Sequence, residues 1–124
     1  MSIVGLDHIN IATAKLEETR AFYCDVLGLI EGYRPNFSVA GHWLYVGGSP
    51  IVHLQRADEG EQAVGALRHF ALRVSDLDDC KRRLDERDIA YRITRTPDGA
   101  FDQAFLCDPS GAQVELICRT TRGD

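Results

Sequence analysis

The strongest constraint on this chain is that it repeats itself. Leu6-Asp7-His8-Ile9-Asn10-Ile11 lines up with Leu67-Arg68-His69-Phe70-Ala71-Leu72 at an offset of 61 residues. Leu16 then falls on Leu77, and Trp43-Leu44-Tyr45-Val46 falls on Ala104-Phe105-Leu106-Cys107 at the same offset. After one inserted residue, Val52-His53-Leu54 falls on Val114-Glu115-Leu116 at offset 62. Four blocks in one order at nearly constant spacing mark a duplicated supersecondary unit. The chain therefore divides into module one (about 1–56), an acidic linker with two glycines (about 57–66) and module two (about 67–124), together one domain.

Each half reads as strand, helix, then three strands. In module one the stretch 5–12 alternates, with Ile9 and Ile11 opposite His8 and Asn10. Thr13 is placed to cap a helix whose apolar side carries Leu16, Phe22, Tyr23, Val26 and Leu27, and Gly28 is placed to end it. Strand patterns follow at about 29–37, 42–46 and 51–56, with a turn over 47–50. In module two the stretch 67–74 alternates, Ser75 or Asp76 caps a helix to about 88, and strands follow at about 90–96, 103–107 and 113–118. Asp108-Pro109-Ser110-Gly111 is a strong turn signal. The expected fold is α+β: two tandem βαβββ modules whose mixed, curved sheets enclose a metal pocket.

Composition narrows the function. Apolar residues at 44% and charged residues at 27% suit a globular domain. No apolar run reaches the roughly 20 residues of a membrane span, and no secretory signal opens the chain. A net charge of -5 without a basic stripe argues against nucleic acid. Cys24, Cys80, Cys107 and Cys118 form no CxxC pair and read as small buried apolar residues in a reducing, cytoplasmic setting.

The repeat also sorts the candidate ligands. His8 and His69 occupy equivalent first-strand positions, and His53 and Glu115 equivalent last-strand positions. Alternation puts all four on sheet faces turned away from the helices. Three imidazoles and one carboxylate suit one divalent transition metal per site, of the kind Fe, Mn, Ni or Zn, with room left for water or substrate. Glu115, the one carboxylate of the set, is the candidate catalytic group for proton transfer. Asn10, Gln55 and Arg73 share faces with these ligands, and Tyr45, Arg95, Phe101 and Gln103 complete the expected substrate-binding set. Arg73, Arg92 or Arg95 would hold a substrate carboxylate or phosphate. His42 has no ligand-type repeat partner and reads as a turn or strand-edge residue.

Leu6-Asp7-His8-Ile9, Ala21-Phe22-Tyr23 with Leu27-Gly28-Leu29, Arg68-His69-Phe70-Ala71, and Asp108-Pro109-Ser110-Gly111 with Val114-Glu115-Leu116 together resemble the vicinal oxygen chelate superfamily. That group holds glyoxalase I, methylmalonyl-CoA epimerase, extradiol dioxygenases, fosfomycin-resistance transferases and bleomycin-resistance proteins. The resemblance implies paired βαβββ modules, with His8, His69 and Glu115 at the family's ligand positions and His53 at a position that varies within it. It implies a metal-dependent lyase or isomerase of the glyoxalase type, acting on a small-molecule substrate with two adjacent oxygens. The alternatives are a ring-cleaving dioxygenase, which a fourth ligand disfavours, and a small-molecule-binding resistance or sequestering protein using Trp43, Tyr45 and Phe101. Short members of the superfamily usually form homodimers with shared metal sites, and the same is expected here. One module would supply His8 and His53, and a module of the other chain His69 and Glu115.

Overall fold

The computed structural model describes residues 5–59 and 66–120. Residues 60–65 of the expected linker lie outside the described residues. The chain forms two compact units, Met1–Ala63 and Val64–Asp124.

Unit one contains β1 (Ile9–Thr13), α1 (Leu16–Ala21), β2 (Ile30–Gly32), β3 (Gly41–Val46) and β4 (Ser49–Arg56). Its strands form one mixed sheet in the order β1-β4-β3-β2, with β1 parallel to β4 and the other pairs antiparallel. Unit two repeats this plan with β5 (Phe70–Arg73), α2 (Leu77–Glu86), β6 (Arg92–Arg95), β7 (Phe101–Cys107) and β8 (Gln113–Arg119), in the order β5-β8-β7-β6. The duplicated βαβββ plan read from the sequence is the observed one.

Each sheet buries one face against its helix. In unit one Leu44, Val52 and Leu54 are buried together with Leu16, Phe22, Tyr23 and Val26, and α1 packs on β1 and β4. In unit two Ala104, Leu106, Val114 and Leu116 are buried with Leu77 and Leu84, and α2 packs on β8. The period-2 pattern then turns the intervening residues to the other face.

Local chemistry sets the element ends. Thr13 accepts a hydrogen bond from the Lys15 amide, so it closes a small turn ahead of α1, and Lys15 takes the position before the helix. After Ala21 the backbone continues as a π-helical turn over Phe22–Val26, where the Leu27 amide bonds the Phe22 carbonyl. That wider turn was not visible in the 3.6-residue periodicity. Gly28 ends it at φ +84°, as expected of a helix-stopping glycine. Asp76, rather than Ser75, caps α2 by accepting from the Asp79 amide. The strand expected at 29–37 is much shorter: β2 is only three residues long, because Pro35 lacks the amide a ladder needs and residues 33–40 leave the sheet.

The β7–β8 turn is built on a buried carboxylate. Asp108 is 4% exposed, and its Oδ1 accepts from the amides of Ser110 (2.8 Å) and Ala112 (2.9 Å) and from the Ser110 hydroxyl (2.5 Å). This turn fixes the register Cys107↔Gln113, hence Phe105↔Glu115. The equivalent register in unit one is Trp43↔His53. The third strands therefore correspond at offset 62, which places Trp43 on Phe105 and corrects the alignment of Trp43 with Ala104.

No helix among the described residues is long and apolar enough to cross a membrane. The four cysteines are free, but the expected burial is not met: Cys24, Cys80 and Cys118 are only half-buried, and Cys107, at the end of β7, is exposed. Partial burial raises the thiol pKa of Cys24 and Cys80 above the ordinary value.

Candidate metal centre

Unit one brings His8 and His53 together. His53 sits in the middle of β4, and His8 immediately precedes β1. Their rings stack at 3.8 Å, and the other face of His53 stacks on Trp43 at 4.0 Å. Phe37 lies beyond Trp43 at 6.2 Å, with the Arg34 guanidinium over its ring. The stack keeps His53 only 7% exposed although it lies on the face away from α1. Burial, first, and the neighbouring His8, second, lower the His53 pKa, so the neutral imidazole is favoured.

The hydrogen bonds select the ring nitrogens. His53 Nε2 lies 2.9 Å from the Pro50 carbonyl, which can only accept, so Nε2 donates and Nδ1 carries the free lone pair. His8 Nδ1 lies 2.8 Å from the Asp7 carboxylate, so it donates there and leaves Nε2 free. A carboxylate or carbonyl behind a histidine is the usual support of a metal-binding imidazole.

Unit two brings His69 and Glu115 together. Glu115 is 5% exposed in the centre of β8. Its Oε1 is 3.0 Å from His69 Nε2, and its Oε2 accepts from the Gln103 amide at 3.0 Å. Phe105 meets the His69 ring edge to face at 5.5 Å, and Arg92 lies over Phe105. Both units thus set an aromatic residue of the third strand against the candidate pair.

Within each unit the donor types suit a divalent metal, and the histidine pair needs one adjustment. Adjacent ligands about 2.1 Å from a metal stand about 3.0–3.4 Å apart. The His69–Glu115 separation of 3.0 Å meets that spacing without change. A metal lies in the plane of each imidazole it binds, so the parallel rings of His8 and His53 cannot both reach one ion as stacked. His8, half-exposed outside its strand, can turn about its side chain to do so. Among the described residues no three His, Cys, Asp or Glu side chains form a cluster that could hold a metal.

The remaining candidates divide. Asn10 and Gln55 lie beside the histidine pair and hydrogen-bond each other at 3.2 Å. Arg73 lies on the His69 face of β5, exposed, with no hydrogen-bond or ion-pair partner among the described residues. Phe101 shares the Gln103 face and takes the Arg119 guanidinium over its ring. The Tyr45 hydroxyl is engaged by the Tyr33 carbonyl at 2.5 Å. Arg95 pairs with Asp102 and, with Lys81 and Cys118, lines a cavity of about 230 Å³ beside the start of α2, away from Glu115. His42 is neither in a turn nor on an edge strand. It stands inside β3, with its ring nitrogens 2.6 Å from Glu31 and 2.9 Å from Glu17 of α1. Its period-2 relation to the buried Leu44 was the signal for that face. Thr94, absent from the sequence-derived set, bonds Gln103 at 2.9 Å.

The model of the Glyoxalase/Bleomycin resistance protein/Dioxygenase superfamily matches residues 5–116. The chain belongs to that superfamily. Its relatives include a protein of Arabidopsis thaliana named "Glyoxylase I 4", 28% identical over 125 residues, covering 94% of this chain and 71% of the relative. Among solved structures, lactoylglutathione lyase from Agrobacterium tumefaciens superposes with a TM-score of 0.74 at 21% identity, covering 95% of this chain and 96% of that one. TnmS3, an antibiotic binding protein from Streptomyces sp. CB03234, also gives 0.74, at 24% identity and coverage of 97% and 99%. A lyase and a binding protein match equally well, so the fold alone does not assign the reaction.

Proposed function

We propose that the chain is a metal-dependent enzyme of the glyoxalase type, a lyase or isomerase acting on a small substrate with two adjacent oxygens. The observation that carries this reading is the Glu115–His69 pair: a buried carboxylate whose Oε1 lies 3.0 Å from an imidazole nitrogen. His8, His53, His69 and Glu115 would hold one divalent ion of the kind Fe, Mn, Ni or Zn. When bound, such an ion supplies Lewis-acid stabilisation of negative charge developing on the substrate oxygens.

The chain's own residues supply the rest. Glu115, when it is not held as a ligand, accepts and returns the proton on the carbon beside the substrate carbonyl. Asn10 and Gln55 offer amide donors beside the histidine pair, and Arg73 offers a cation for a substrate carboxylate. Since each unit carries two ligands, a full set requires one unit of each kind. We place them in a homodimer with two shared sites, which two-fold symmetry makes equivalent. His53 as a fourth ligand disfavours ring-cleaving oxygenation, which needs open positions for both the aromatic diol and O2.

The test is proton exchange. Metal-loaded protein is incubated in D2O with a panel of small 2-hydroxy and 2-oxo carbonyl compounds, and deuterium at the carbon beside the carbonyl is followed by NMR. Exchange that is lost in Glu115→Gln supports the reading. O2 uptake with catechols and no exchange would replace it with the oxygenase.

A further inference from the structure

We infer that Gln103 and Thr94 are positioning residues that hold Glu115 ready to ligate through a single oxygen. The inference rests on the reading of Glu115 as a metal ligand. The three side chains form a continuous line across three strands. Thr94 of β6 stands opposite Gln103 of β7, and Gln103 stands diagonal to Glu115 of β8, whose direct partner is Phe105. Diagonal neighbours on one sheet face are within reach of long side chains.

The hydrogen bonds along this line have one consistent direction. The Thr94 hydroxyl donates to Gln103 Oε1 at 2.9 Å. That bond fixes the amide orientation, so the Gln103 nitrogen faces β8 and donates to Glu115 Oε2 at 3.0 Å. Oε2 is thereby held by a neutral donor, and Oε1 is left facing His69 Nε2. Without the Thr94 bond the Gln103 amide could flip and set its own oxygen against the carboxylate, which is repulsive. The line therefore fixes the carboxylate orientation, with one oxygen engaged by Gln103 and the other offered alongside His69.

The other unit supplies a comparison within the same chain. By strand register the position equivalent to Gln103 is Gly41, since Gly41 pairs with Gln55 as Gln103 pairs with Ile117. The last-strand residue there is His53, which has no carboxylate to orient and is held by ring stacking and the Pro50 carbonyl. An amide stands on the third strand where the candidate ligand is a carboxylate, and a glycine where it is an imidazole. Gln103 is thus assigned to Glu115 rather than to the substrate.

The experiment titrates Co(II) into the full-length protein and follows visible d–d absorption, with urea unfolding of each apo variant in parallel. Gln103→Leu should weaken Co(II) binding about 10- to 100-fold, the usual effect of removing a group that supports a metal ligand. Thr94→Val should weaken it less and in the same direction, while Thr94→Ser, which restores the hydroxyl, should recover the parent affinity and spectrum. Thr94→Val leaves both Gln103 and Glu115 in place, so it decides the matter even if Gln103→Leu fails to fold. Parent-like Co(II) binding by Thr94→Val, or equal losses in Thr94→Val and Thr94→Ser, overturns the inference. Glu115→Ala is the control: if it binds Co(II) like the parent, the ligand reading itself has failed, and the inference with it.

Discussion

Replacing Asp108 with alanine should cost the protein about 3 kcal/mol of stability. The carboxylate accepts two backbone amides, of Ser110 and Ala112, at 2.8 and 2.9 Å, from a site only 4% exposed. A hydrogen bond to a charged group contributes about 1.5–3 kcal/mol, and a donor left unpaired inside the protein costs about 1–3 kcal/mol. Both amides are partly buried, so water recovers some of the loss, and bonds sharing one acceptor do not add fully. Two bonds at the lower end give about 3 kcal/mol. Asp108→Asn keeps an oxygen acceptor and should lose less. The assay is urea unfolding followed by far-UV circular dichroism, comparing midpoints at unchanged slope. The functional stake is register: a slip of one residue in β7–β8 would move Glu115 from the His69 side to the α2 side. A loss below about 1 kcal/mol for Asp108→Ala would refute the turn's assigned role.

Three further outcomes follow from the same structure. The hydrogen bond from His42, above all, lowers the Glu17 pKa below its ordinary 4.5, so the pair's contribution is present above that pH and lost as pH falls through the folded value. Parent stability should therefore drop more steeply than that of Glu17→Gln between about pH 5 and about pH 3 in apo protein, and parallel curves would contradict it. At Gly41 an added Cβ would stand 2.2 Å from the Leu54 carbonyl oxygen, so Gly41→Ala should cost at least the ~1–3 kcal/mol of overpacking, read as a lowered urea midpoint. Finally, His8→Ala and Glu115→Ala chains refolded together should regain part of the metal binding that each lacks alone. Each heterodimer then holds one intact site and one lacking both ligands, and proven heterodimers without metal would place the site within one chain.

The fold was legible because duplication leaves a strong mark. His8 and His69, and His53 and Glu115, keep their spacing, and alternation with Val52, Leu54, Val114 and Leu116 assigns the faces without reference to tertiary contacts. Details set by backbone hydrogen bonding were not legible. The π-helical turn at Phe22–Val26 adds one residue to a ring without changing side-chain types. The third-strand alignment was off by one because Trp43 and Ala104 are both apolar, and only the ladder shows that Trp43 pairs with His53 and Phe105 with Glu115. At the site, sequence pattern paired His8 with His53 and His69 with Glu115, as the structure does, but assigned Gln103 and Arg95 by strand membership alone. Their partners, Glu115 and Asp102, follow from which face each side chain takes and from cross-strand register. His42 was misplaced for the same reason, since Glu17 and Glu31 come from elements that only folding brings beside it.

The most direct test of the central claim is metal content. Protein purified without chelator, and its His8→Ala, His53→Ala, His69→Ala and Glu115→Ala variants, are analysed by mass spectrometry of the elements after dialysis. Two equivalent shared sites per dimer require about one divalent ion per chain in the parent. The account predicts that value, with most of the metal lost from His69→Ala and Glu115→Ala. Four variants that retain metal to the parent's level would show that these residues do not form the site.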